Sequence, residues 1–267
     1  MNRFFQKVLI AVLAIIVCGA SSLRAQSVNM DRYMTITVKQ GASINFSMWA
    51  DAADTQVKIV SGSNEQTIPV DASWTAMNDY VAGATTIKIY GNVLKLNCFR
   101  NGLNVTGLDV SHNPQLQELN CYSNGLTSLD ISGNTRLELL SCYDNKLTSL
   151  DLAFTPALSE LYCGYNTISS LDLDKVPQLS VLNINNNGFT SLDTKVLPQL
   201  EILVASDNTL ASLDLSANKK LRSIDLMNNK LTELKLETKE LQRVLLNNNL
   251  LASIAFEGSE ALKLYAL

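Results

Sequence analysis

From residue 93 onward apolar residues return at fixed intervals, with polar residues between them. The stretch "LQELNCYSNGLTSLDISGN", beginning at Leu116, shows the unit: positions 1, 4, 6, 11, 14 and 16 are apolar, position 9 is asparagine and position 15 aspartate. Aligned on the asparagine, eight copies follow one another at Asn101, Asn124, Asn145, Asn166, Asn187, Asn208, Asn229 and Asn249. Most copies step by 21 residues; the first has two extra residues between Leu103 and Leu108, and the last steps by 20. Both irregularities fall between the apolar positions, where a coil absorbs length. Such a unit has nowhere to bury its apolar side chains except against the next copy, so the copies must stack into one continuous core. Neighbouring coils then sit roughly 4.8 Å apart, the spacing of strands in a sheet. Each unit also carries its motif twice, since "LQELNCYSN" and "LTSLDISGN" both read LxxLx(C/I)xxN. Short parallel strands on two sides of the coil, with little or no helix, are therefore expected.

The pattern resembles the leucine-rich repeats, and within them the short bacterial class, sometimes called IRREKO, whose 21-residue unit reads LxxLxCxxNxLxxLDLxxN. The resemblance covers about residues 93–256. It implies a mainly β fold, a solenoid of eight short parallel coils, and a role as an extracytoplasmic binding surface without catalysis or cofactor. It names no partner.

Three columns of the repeat invite a chemical reading. Position 6 is Cys98, Cys121, Cys142 and Cys163, then Ile184, Ala205, Leu226 and Leu246. A slot that accepts Ile, Leu and Ala as readily as Cys is a core slot, and free thiols there act as small hydrophobes. Disulfides between stacked strands are the alternative in an exported protein, at the cost of strained geometry; a straight column does not converge into a tetrahedral metal site. The asparagine column is expected to pair buried backbone groups of adjacent coils. The aspartates Asp109, Asp130, Asp151, Asp172, Asp193 and Asp214 repel one another at that spacing. Hydroxyls two positions earlier, at Ser128, Ser149, Ser170, Ser191 and Ser212, lie on the same strand face and are the expected donors. Calcium remains a second reading of that ladder, although it wants six to eight converging oxygens.

Positions that differ from copy to copy are those packing does not dictate, and they define the candidate binding face. They include Phe99, Tyr122 and Tyr143, expected as one vertical column, with Tyr162 and Tyr165 beside its end and the acids Glu118, Asp144 and Glu160 among them. Exposed tyrosines serve protein interfaces as anchors, and sugar rings also stack on them. Aromatic cross-strand pairs that merely stabilise the sheet are the third reading.

Residues 26–92 lack the period. Alternation in "YMTITV", "ASINFSM", "TQVKIV" and "TTIKIY", separated by turn residues, predicts four or five short strands forming a small β-rich cap on the first coil. Residues 257–267 are expected to close the last one. The opening "MNRFFQK", the apolar run "VLIAVLAIIVCGA" and "SSLRAQS" read as a signal peptide cleaved after Ala25. A lipoprotein anchored through Cys18 fits less well, because Val17 before it is bulky. The apolar run is too short to span a bilayer, so an exported chain that is periplasmic, surface-bound or extracellular is expected. With 21 basic and 25 acidic residues, a net charge of −4 and a Lys219–Arg243 cluster interleaved with Asp225, Glu233 and Glu240, no nucleic-acid face is expected. His112 is the only histidine, and no phosphate-binding glycine loop is present. The expected partner is a protein or peptide, with a glycan as the alternative.

Overall fold

The computed structural model describes residues 27–252 and a strand at Lys263–Tyr265. The expected signal peptide, Cys18 and most of the expected C-terminal cap lie outside the described residues. Almost everything described is strand or turn; the only helical element there is a 3-10 turn at Leu173–Lys175. No helix there is long and apolar enough to cross a membrane.

The described residues begin with six strands, β1 (Tyr33–Val38), β2 (Ser43–Ala50), β3 (Thr55–Ser61), β4 (Asn64–Val70), β5 (Asn78–Val81) and β6 (Thr86–Tyr90). The alternation in the sequence brings out β1, β2, β3 and β6, whose inward residues Ile36, Phe46, Val57 and Ile87 are fully buried. It passes over β4, "NEQTIPV", which is exposed on both faces along most of its length. A strand exposed on both faces has no buried side to print a period of two.

The solenoid follows with β7 (Val93–Asn97), β8 (Val105–Asp109), β9 (Glu118–Asn120) and β10 (Ser128–Asp130). The strand that opens each coil pairs in parallel with the next, from β7 and β9 through Leu139–Ser141, Glu160–Tyr162, Val181–Asn183, Ile202–Val204 and Ser223–Asp225 to Arg243–Leu245. Eight such strands enclose about seven turns, and Lys263–Tyr265 adds to the end of the sheet. Inside, Leu96, Leu119, Leu140, Leu161, Leu182 and Leu203 stack with zero exposure, and Cys98, Cys121, Cys142 and Cys163 lie among them. Each fully buried aliphatic side chain stabilises the stack by about 1.5–3 kcal/mol.

The six N-terminal strands do not form a separate layer. β2 pairs antiparallel with β7 and β1 pairs antiparallel with β8, so both sheets of the solenoid run on into this segment. The first asparagine of the repeat treats β2 as a preceding coil: Asn101 Nδ2 donates to Asn45 O, and Asn45 N donates to Asn101 Oδ1.

On the second side of the coil, strand pairing is only partial. β10 pairs with β8, and Ser212–Leu215 pairs with Glu233–Leu236, whereas coils three to five have no strand there. Where pairs form, the residue at the second turn reaches across to the previous coil. Asn134 Nδ2 donates to Val110 O and Asn113 O, and Thr238 Oγ1 donates to Lys219 O and Leu221 O. In the middle coils that position is Thr155, which bonds within its own coil to Leu152 O, and then the apolar Val176 and Leu197. Asn218 does grip Thr194 O and Leu197 O without a strand pair forming, so the fastening accompanies pairing and is not sufficient for it.

Candidate binding face

The asparagine column knits adjacent coils together. Asn166 shows the arrangement: its Nδ2 donates to Cys142 O of the previous coil and to Cys163 O and Gly164 O of its own, while its Oδ1 accepts from Leu147 N. Asn124, Asn145, Asn187, Asn208, Asn229 and Asn249 repeat the own-coil and previous-coil bonds to position-6 carbonyls. A second buried set stands at the opposite turn: Asn134 and Asn218 donate to two carbonyls of the preceding coil each, and Asn113 donates to Val93 O; the doubled motif was its only signal. The position-6 thiols are free and wholly buried, and burial pushes Cys98 and Cys142 up to about 12.

The aspartates do not use the serines two positions earlier. Asp109, Asp130, Asp151, Asp193 and Asp214 each accept the backbone N–H two residues onward, and Ser111 and Ser216 add their own hydroxyls at 2.6 Å. Each carboxylate curls back to close the turn that follows its strand, an Asx turn, so it caps a backbone group instead of joining a lateral ladder. Those bonds hold Asp130 below the ordinary carboxylate range, the Ser132 N–H foremost. Among the described residues no three His, Cys, Asp or Glu side chains gather as a metal site. His112 Nδ1 lies 3.1 Å from Ser111 Oγ, but that hydroxyl donates to Asp109, and the imidazole stacks on Tyr33.

Outward residues of the long sheet fall in columns set by strand register. Lys95, Glu118, Leu139, Glu160, Val181 and Ile202 make one; Asn97, Asn120, Ser141, Tyr162, Asn183 and Val204 make the next. The expected aromatic column is instead two pairs. Phe99 and Tyr122 stack at 4.6 Å with planes 8° apart, while Tyr143 pairs with Tyr165 at 4.9 Å and 47°. Beyond Tyr143, Gly164 stands where an aromatic would continue the column into coil four. Asn185 occupies that space: a Cβ on Gly164 would collide with Asn185 Oδ1.

The acids of this face are engaged within it. Glu118 accepts from Lys95 Nζ at 3.1 Å and from Asn120 Nδ2, Glu160 accepts from the Tyr162 hydroxyl, and Asp144 accepts from Ser123 Oγ. Burial, and then the Glu160 carboxylate, push Tyr162 up to about 12. The face also continues beyond the repeats. Trp49 lies in register with Lys95, whose Nζ sits 4.8 Å over its ring, and Trp74 meets Trp49 edge-on at 6.2 Å. Neither tryptophan belongs to a repeated position, so no comparison between copies could single it out.

One backbone feature marks particular residues. The position before each column asparagine has positive φ in all eight copies: Arg100, Ser123, Asp144, Tyr165, Asn186, Asp207, Asn228 and Asn248, between 51° and 59°. Asn, Asp and, locally bonded, Ser accept this left-handed conformation; for other side chains it costs about 1–2 kcal/mol. Arg100 and Tyr165 are the two that depart from the rule. Both are exposed, Tyr165 by 45%, and both touch the aromatic pairs, Arg100 lying 5.8 Å from the Phe99 and the Tyr122 ring centroids.

No protein-family model matches the chain, and no curated protein sequence does. Among solved structures it is similar to the functional domain of InlJ from Listeria monocytogenes, described as including a cysteine ladder, with 28% identity over 59% of this chain and 49% of that one and a TM-score of 0.44. A leucine-rich-repeat protein of Leptospira interrogans is 28% identical over 52% of this chain and 39% of that one, with a TM-score of 0.49. For YopM from Yersinia enterocolitica the values are 26%, 56%, 37% and 0.47. The chain spans less than half the length of each of these structures. Its own coils, with one parallel strand and one clamped asparagine per unit, form a leucine-rich-repeat solenoid.

Proposed function

We propose that the chain is a non-catalytic interaction protein, exported by its N-terminal segment, that binds a protein or peptide on the aromatic face of coils one to four. The observation that carries this reading is the pair Arg100 and Tyr165. Stability favours Asn or Asp at both positions, as in most other copies, yet two strained, exposed side chains stand there against the aromatic pairs. Backbone strain of this kind gathers where a side chain is kept for recognition. Residues 26–92 extend the same face through Trp49 and Trp74 while covering the first coil.

A protein surface fits better than a sugar. Phe99 and Tyr122 stand face to face across adjacent coils, so each hides one ring face in the other and turns its edge outward. A pyranose needs an open ring face; a peptide side chain packs against edges.

Tyr165→Asn tests the reading. Relief of the left-handed strain, about 1–2 kcal/mol, is set against loss of the Tyr143–Tyr165 pair, about 0.5–1.5 kcal/mol, so the melting temperature should stay within roughly 4 °C of wild type. Saturable capture of the partner that wild type retains from surface extracts should fall while the variant remains folded. Capture unchanged by Tyr165→Asn, and by Tyr143→Ala beside it, defeats the proposal.

A further inference from the structure

The geometry points to an acidic peptide as the partner, with an Asp or Glu side chain seated on Arg100 and a neighbouring apolar side chain packed along the Phe99–Tyr122 edges. This inference rests on the face proposed above and adds the chemistry of what it binds.

Charge bookkeeping on the face supplies the first argument. Lys95 is satisfied by Glu118, Glu118 also by Asn120, Glu160 by Tyr162, and Asp144 by Ser123. Among the described residues no carboxylate pairs with Arg100, so its guanidinium is the cation the face leaves for a partner to complete. A guanidinium presents a planar fork of donors suited to a carboxylate.

The second argument concerns the rings beneath it. Aromatic faces are electron-rich and their edges electropositive. Phe99 and Tyr122 each spend one face on the other, and Arg100 lies against the pair. The guanidinium lies within cation–π reach of both ring centroids, at 5.8 Å, which restricts its motion before binding. Arg100 keeps this position from a left-handed backbone, φ 58°.

The test is a displayed random-peptide library selected on wild-type chain, Arg100→Asn and Tyr165→Asn in parallel. Arg100→Asn places a neutral amide at a position whose left-handed backbone favours Asn, so the variant should fold. Wild type should enrich peptides with Asp or Glu next to an aromatic or aliphatic residue. Each enriched peptide should lose at least about tenfold affinity on Arg100→Asn, the loss of a charge-assisted pair, and a comparable amount when its own acid is changed to the amide. Enrichment that depends on Tyr165 yet shows no acidic preference, or an acidic preference that survives Arg100→Asn, overturns this inference and leaves the proposed face standing. Enrichment indifferent to both substitutions overturns the two together. Arg100-dependent retention on uronic-acid glycans with no peptide enriched keeps the anion site and refutes the peptide.

Discussion

Asn134 and Asn218 occupy the same place in coils two and six, and each donates two hydrogen bonds to carbonyls of the preceding coil. Their carbonyl oxygens differ. Asn218 Oδ1 accepts from Thr194 Oγ1 at 2.8 Å, whereas Asn134 Oδ1 is buried without a partner among the described residues. The counterpart of Thr194 one coil before Asn134 is Val110, which is apolar and fully buried. Val110→Thr should therefore supply the missing donor. Satisfying a buried acceptor is worth about 1–2 kcal/mol; exchanging a methyl for a hydroxyl forfeits about 0.8 kcal/mol of apolar burial. A net gain of up to about 1 kcal/mol remains, near 2–4 °C in melting temperature. The reciprocal Thr194→Val should cost a similar or larger amount, because it strands Asn218 Oδ1. Thermal melts followed by circular dichroism compare the two. If Val110→Thr melts several degrees below wild type while Thr194→Val is neutral, hydrogen-bond satisfaction does not govern this turn.

Asn166→Ala removes three donated bonds and one accepted bond at a buried site, and should destabilise by at least about 1–3 kcal/mol; a melting temperature within a degree or two of wild type would refute the clamp. With no exposure and pKa values raised by burial, to about 12 for Cys98 and Cys142, the four column thiols should resist iodoacetamide at pH 8 until guanidinium unfolds the chain. Rapid alkylation of the native protein would contradict that burial. Asp225 has its pKa raised, chiefly by burial, so the folded state holds its proton more tightly and its ionisation costs stability as pH rises past the ordinary carboxylate range. Asp225→Asn should accordingly raise the melting temperature at pH 7 and make no difference at pH 3, where both states are protonated; a loss at pH 7 would show that the carboxylate contributes more than its desolvation costs. Both tryptophans of the chain lie at the cap end of the face, so an acidic peptide bound at Arg100 should change intrinsic fluorescence, and that change should vanish in Arg100→Asn.

The repeating half of the fold was legible because burial in a stack has few solutions. Leu119, Cys121 and Leu126 have buried counterparts in nearly every coil, because a position that stays apolar from copy to copy faces the stack; the first coil departs from this, since Leu103 is exposed by 67% and Val105, two residues on, is buried in its place, so the extra residues precede the buried position. The asparagine column was readable for the same reason. The aspartates misled because recurrence shows that a position matters without showing toward which neighbour it turns. A carboxylate at a strand end can face the serine two residues back or the N–H two residues on, and the Asx geometry wins because that N–H would otherwise lack a partner. Edge strand β4 was missed because exposure on both sides erases the alternation by which a strand is recognised.

What the sequence alone determined was the set of residues that face the core and the set left free to vary, since side-chain period and repeat length decide both. Which free residues act together was decided by the tertiary structure. Tyr143 meets Tyr165 and not Tyr122, and the space at Gly164 is filled by Asn185 from the next coil. Trp49 joins the face because β2 pairs with β7 across more than forty residues of chain. Arg100 and Tyr165 stand out only once their backbone angles are known. Contacts and dihedrals of this kind depend on neighbours brought together by stacking, and no pattern along one chain records them.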